Sequence, residues 1–304
     1  MKTLLASTAI LAATVGIASA EVAISGSARM GIIDNFGDVG PLFSSRVRIN
    51  FSASGETDAG LAFGASVRAD QSGQGNTAND DSTVYVSGGF GRLTMGDVDG
   101  AANAAVGQVS GVGYTGLGDL NEIFYLANGG TNFQGGAGSS ADTSVLYEYG
   151  AGSFTGYVSA TQRETVVEAE SIAGKYAAGN YTLSLGYERA TLNGPGVTLK
   201  HIIMGASATF GGTTVKLVYG QTSADGFPDM DQLAASVDYT VDDLTMTAFY
   251  KDNNDLDATP LGGTEAYGFG ASYDLGGGAS IAGGYSKNKE ADTNAIDLGL
   301  KFSF

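Results

Sequence analysis

Apolar and polar residues alternate with a period of two through most of this chain, and no other feature restricts its possible folds as tightly. In residues 46–54, Val47, Ile49, Phe51 and Ala53 fall on one face, and Arg46, Arg48, Asn50, Ser52 and Ser54 fall on the other. After Gly60, Leu61, Phe63, Ala65 and Val67 alternate with Ala62, Gly64, Ser66 and Arg68. At the end of the chain, Ile296, Leu298, Leu300, Phe302 and Phe304 alternate with Asp297, Gly299, Lys301 and Ser303. A dyad of this kind is the mark of a β-strand with one apolar and one polar face. Similar segments recur throughout the interval between, and no long amphipathic helix is readable.

The connections alternate as well. Short ones, such as residues 88–91, 151–152, 178–180, 211–212, 241–243 and 276–278, carry the Gly, Asn or Asp that tight hairpins favour. Long polar ones occupy residues 34–42, 72–80, 163–168, 190–197, 222–229, 252–263 and 287–293. Short turns at one end and long loops at the other are the layout of an outer-membrane barrel. A soluble β-sandwich also alternates, so the polar face has to discriminate. It is dominated by Ser, Thr, Gly, Arg and Asp, which suits a wet lumen rather than a packed interior. Tyr147, Tyr149, Tyr181, Tyr187, Tyr239, Tyr250, Tyr273, Phe302 and Phe304 lie at strand ends, where interfacial girdles belong. Sixteen strands would leave about 18 residues for each strand and its connection, whereas eight would leave far too much loop. The reading is an all-β, transmembrane antiparallel barrel.

Composition removes other classes. Gly supplies 48 of the 304 residues without a collagen period, and 43% hydrophobic residues suit neither a fibre nor a disordered chain. The absence of Cys excludes a disulfide framework, a thiol nucleophile and cysteine-held metals, and a single His starves zinc chemistry. A formal charge of -17 argues against nucleic acid as a partner. Residues 1–20 read as a signal peptide: a basic start at Lys2, an apolar and small-residue stretch over 4–17, and Ala18-Ser19-Ala20 as the cleavage signal. Residues 21–304 are then the barrel.

The segments SGSARMG (25–31), SSRVR (44–48), TDAGLAFGASVRA (57–69), GRLTMGD (91–97), VGYTGLGD (112–119), ASYDLGGGASIAGG (271–284) and the terminal DLGLKFSF are spread over that whole span. Together they resemble the general diffusion porins of alphaproteobacteria, of the Rhodobacter type. The resemblance implies a homotrimer of 16-stranded barrels in the bacterial outer membrane, passing ions and small hydrophilic solutes by diffusion. It implies contacts with lipid and lipopolysaccharide, and a terminal Phe304 that the outer-membrane assembly machinery reads.

The longest stretch without strand alternation runs from about 97 to 142, beyond the length at which a loop usually has a function. By the resemblance this loop folds inward as the constriction and brings Asp97, Asp99, Asp119 and Glu122 toward the opening. The alternation places Arg29, Arg46, Arg48 and Arg68 on the polar face of the first three strands, because a cation near the midplane of the lipid face costs about 2–4 kcal/mol. Their role as the basic wall of the constriction follows from the family match. Carboxylates facing guanidiniums set a transverse field that polar solutes tolerate and apolar ones do not. Positions acidic in that family are neutral here, around Asn103, Gln108, Gly111 and Gly116. Weak cation selectivity is the expectation.

Other motifs carry less. Residues 111–116 match G-x-G-x-x-G, but no helix pattern follows. Asp97 and Asp99, and the run Asp252, Asp255 and Asp257, offer oxygen ligands suited to Ca²⁺ without matching an EF-hand, and solvated acidic loops are the preferred reading. No cofactor is expected. His201 shares a face with Ser207, which raises an outer-membrane lipase or protease as the alternative. Six residues along a strand is roughly 20 Å, however, so the pair is out of hydrogen-bond reach. A lumen-lining or loop-end His is preferred, with no catalytic residues.

Overall fold

The computed structural model describes residues 21–35, 40–72, 75–127, 144–162, 167–192, 196–253 and 264–304. The expected signal peptide at 1–20, residues 128–142 of the expected loop, and Asp255 and Asp257 lie outside the described residues. The strands are β1 (Glu21–Asp34), β2 (Leu42–Glu56), β3 (Ala62–Ser72), β4 (Gly75–Gly88), β5 (Gly91–Gly96), β6 (Ser144–Ala151), β7 (Phe154–Gln162) and β8 (Val167–Ala178). They continue with β9 (Tyr181–Leu192), β10 (Val197–Phe210), β11 (Thr213–Ala224), β12 (Met230–Val241), β13 (Leu244–Asp252), β14 (Glu265–Gly276), β15 (Ala279–Asn288) and β16 (Thr293–Ser303). Each pairs antiparallel with its sequence neighbours, and β1 pairs with β16, so the sixteen strands form one closed barrel. Closure extends to the last residue. The Gly26 N–H donates to the Phe304 carbonyl at 2.6 Å, and the Phe304 N–H returns a bond to Gly26 O at 3.0 Å. A closed ladder has no free edge, which is what permits strands to span lipid.

The alternation read from the sequence becomes two faces of this wall. Val22, Ile24, Met30, Ile32, Phe51, Leu183, Leu185, Ile202, Met204, Phe269 and Leu298 are all exposed. An apolar surface that extensive belongs in lipid rather than water. Tight turns separate the strands at one end, aided by positive φ at Gly152 (61°) and Asp242 (50°). At the other end the expected long loop at 72–80 is largely strand, because β4 already begins at Gly75. Beyond the lipid band both faces of a hairpin are wet, so polar composition there hides strand rather than marking loop.

The buried core is not in the wall alone. Among the described residues, the segment between β5 and β6 contains a short helix, α1 (Ala101–Val106), and a 3-10 turn at Leu117–Asp119. Val106, Val109, Val112, Leu117, Ile123 and Tyr125 of this segment are buried against Ile203, Val218, Ala234, Phe249, Ala266 and Ala295 of the wall. A second cluster joins Phe124, Leu126 and Ala127 to Ala169, Ala190, Leu199 and Met230. These wall residues alternate with the lipid-facing ones and share the face of the polar side chains.

Candidate functional site

Wall side chains hold the segment 97–127 along its described length. The unpaired amides at the start of α1 are met by two serines: Ala101 N–H donates to Ser159 Oγ at 2.8 Å and Ala102 N–H to Ser171 Oγ at 3.0 Å. At the other end of α1, Ser184 Oγ donates to Ala105 O at 2.8 Å, and Lys216 Nζ donates to Val106 O at 2.6 Å and Gln108 O at 2.9 Å. Farther on, Ser110 Oγ donates to Asp238 Oδ2 at 2.6 Å, and Lys251 Nζ donates to Glu122 O at 3.0 Å. Asp297 of β16 accepts from the Tyr114 and Thr115 amides and from Thr115 Oγ1, at 3.2, 2.8 and 2.6 Å. The Gly111–Gly116 run is therefore part of this docking, not a nucleotide loop. Two glycines of the wall make room for the close approach. A Cβ on Gly186 would come within 2.6 Å of Ala102 Cβ, and one on Gly284 within 2.6 Å of Gly113 N.

The end of the segment is fixed by a fully buried polar network. Gln232 forms a peptide-like pair with Phe124, accepting from its N–H at 3.0 Å and donating to its C=O at 3.0 Å. Because the backbone roles are unambiguous, the Gln232 amide orientation is determined. Its remaining N–H points at His201 Nε2, 2.9 Å away, which must then be the acceptor. The His201 proton sits on Nδ1 and is donated to Glu188 Oε2 at 2.7 Å. Glu188 also accepts from the Leu126 and Ala127 amides at 3.0 and 3.1 Å. His201 thus braces Glu188 and Gln232, the two side chains that hold the backbone, and all its polar capacity is used within this network. Its side chain is 0% exposed, and Ser207 plays no part.

The predicted arginines divide. Arg29 reaches the segment itself, donating from Nη1 to Thr115 O at 2.8 Å. Arg48 forms a two-pronged pair with Asp70, from Nε to Oδ1 at 2.9 Å and from Nη2 to Oδ2 at 2.8 Å, and Arg68 Nε joins the same carboxylate at 3.0 Å. Arg46 lies directly opposite Arg29 in the β1–β2 register. Asp70 was not singled out in the sequence. Its signal was parity: it stands two residues beyond Arg68 and pairs in register with Arg48.

The acids divide too. Asp97 stays at the root of the segment, where its N–H donates to Ser82 O at 2.9 Å. Asp99 accepts from Asn103 Nδ2 at 2.9 Å. Asp99 and Asp119 remain open to water although protein surrounds them on several sides, which is the setting of a concave wet space. Crowding by protein raises the proton affinity of Asp99, Asp119 and Glu122 above the ordinary carboxylate value. Arg29 and Arg46 oppose the rise at Asp119, while Asp119 and Asp99 add to it at Glu122 against Lys251. Asp99, Asp119 and Glu122 therefore share one electrostatic neighbourhood, with Arg46 within its reach. Among the described residues no three His, Cys, Asp or Glu side chains gather as a metal site.

The family model of the Gram-negative porins matches residues 6–293. The chain belongs to the Gram-negative porins. It is 38% identical to the porin of Rhodobacter capsulatus, over 93% of this chain and all of that one. It is 27% identical to the porin of Fuscovulum blasticum with the same coverage. A refined porin structure, 34% identical, superposes with a TM-score of 0.77 over 93% of this chain and 100% of that one. A Rh. blastica porin variant at 22% identity and a TM-score of 0.69 shares the fold. This porin is accordingly an outer-membrane diffusion channel and not an enzyme.

Proposed function

We propose that the segment 97–127 folds into the lumen and narrows it against the arc of wall formed by β2–β5. One observation carries this reading. Apart from its root, where Asp97 bonds Ser82 of β4, the segment is held by hydrogen bonds from β7 round to β13, from β15 and β16 and from β1, which leaves Arg46, Arg48 and Arg68 on the side that the rest of the segment does not occupy. Asp99, Asp119 and Glu122 on the segment and these arginines on the wall then set a transverse field across the gap. Asp70 cancels part of the basic wall, and the acids leave the opening weakly cation-selective. Ions and small hydrophilic solutes pass by diffusion. By family likeness the protein is a homotrimer joined through its first and last strands, in contact with lipopolysaccharide, exported by residues 1–20 and assembled through Phe304.

The test is planar-bilayer recording under a KCl gradient. Ohmic steps in groups of three and a reversal potential of cation sign are expected at neutral pH. Because Asp99, Asp119 and Glu122 bind protons more tightly than an ordinary carboxylate near pH 4, acidification neutralises them early while the arginines stay charged. The preference must therefore slide toward anions as pH falls, starting above the usual carboxylate range. Clear anion preference at neutral pH would contradict the reading.

A further inference from the structure

On the short-turn side of α1 lies a cavity of about 420 Å³ between the end of the helix and the inward faces of β8–β11. Its charged lining consists of Lys175 and Lys216, and no carboxylate lines it among the described residues. That is unusual in a chain with a formal charge of -17. Lys216 spends two of its three N–H bonds on Val106 O and Gln108 O, leaving one donor. Lys175 has no hydrogen bond or ion pair among the described residues, its ammonium lying 5.3 Å from the Tyr157 ring centroid. Between the lysines, Thr182 pairs in register with Ser207 and Ser207 with Lys216, so two hydroxyls and an ammonium form a row across three adjacent strands. Neither hydroxyl has a side-chain partner among the described residues.

Two like charges facing one space without a counter-ion, beside two unengaged hydroxyls, match an oxyanion with several acceptor atoms and up to two negative charges. We infer that this cavity is a residence site for small dianionic oxyanions of the phosphate class as they cross the lumen. The inference rests on the diffusion-channel reading and names a solute class for it. Such a site is weak by construction, since a channel must release what it holds. It would let anionic nutrients linger behind a constriction whose own charge favours cations.

The experiment is planar-bilayer recording in KCl with inorganic phosphate added to one chamber and then the other, each variant read against its own KCl current. Wild-type current falls saturably with phosphate. Lys175→Gln, which leaves the Lys216 tether of the loop in place, raises the half-effect concentration at least fivefold, and Lys175→Arg restores most of the effect. Equal responses in wild type and Lys175→Gln, or a response that never saturates, would overturn the site. Absence of any KCl current from correctly folded protein would overturn the channel reading and this inference with it.

Discussion

Replacing Arg46, Arg48 and Arg68 together by Gln should raise the cation-over-anion permeability ratio about tenfold or more, read from reversal potentials in a KCl gradient. Two unit charges about 8 Å apart in water interact by about 0.5 kcal/mol, and removing three positive charges acts with opposite sign on the two ions. The change also releases Asp70 from Arg48 and Arg68, adding a free negative charge to the same wall. Low salt enlarges the effect and high salt shrinks it, because the charges act through water. An unchanged reversal potential would remove these arginines from the conducting path. Arg29→Gln is expected to differ in kind. That side chain holds the Thr115 carbonyl, so its loss should loosen the segment as well as subtract a charge.

The second large effect lies at the buried clamp. Gln232→Leu removes both hydrogen bonds that its side chain makes with the Phe124 backbone, in a buried setting where a lost partner costs about 1–3 kcal/mol. His201 Nε2 loses its donor in the same step. The barrel ladder is untouched, so the variant should still resist unfolding in unheated detergent like the parent. Its open-channel current should be noisier by severalfold, with closures at clearly lower voltage, because residues 124–127 then keep the Glu188 anchor but lose the Gln232 one. Parental noise and closure voltage would show that the clamp does not position the segment.

The wall was legible in the sequence and its contents were not, for a physical reason. Lipid on one side and water on the other impose alternation residue by residue, as at Val47–Arg48–Ile49 and Leu298–Gly299–Leu300, and hairpin turns need Gly or Asp locally. The segment 97–127 obeys no period, because its partners are far away in the chain: Asp297 lies 182 residues from Thr115, and Lys251 lies 129 from Glu122. A trace existed nonetheless. Ile202-Ile203, Leu217-Val218 and Ala248-Phe249 place apolar residues on both faces of one strand, and Ile203, Val218 and Phe249 are the ones buried against the segment. Where the lumenal face turns apolar, something other than water covers it. Glu188 and His201 were harder to join, since they are neighbours only through the β9–β10 register, and a long loop between strands does not reveal register. Arg29 and Asp97 had the expected residue types, but a dyad does not say how high on the wall a side chain stands or whether a loop claims it.

The chain contains no cysteine, so a single one introduced at Asp119 is the sole target for a thiol reagent. Single-channel recording of Asp119→Cys during addition of a bulky, charged methanethiosulfonate tests the constriction most directly. If the segment narrows the lumen opposite Arg46, each modification reduces the current in a discrete step. Complete labelling by mass spectrometry with no change in conductance would put Asp119 away from the conducting path and contradict the constriction.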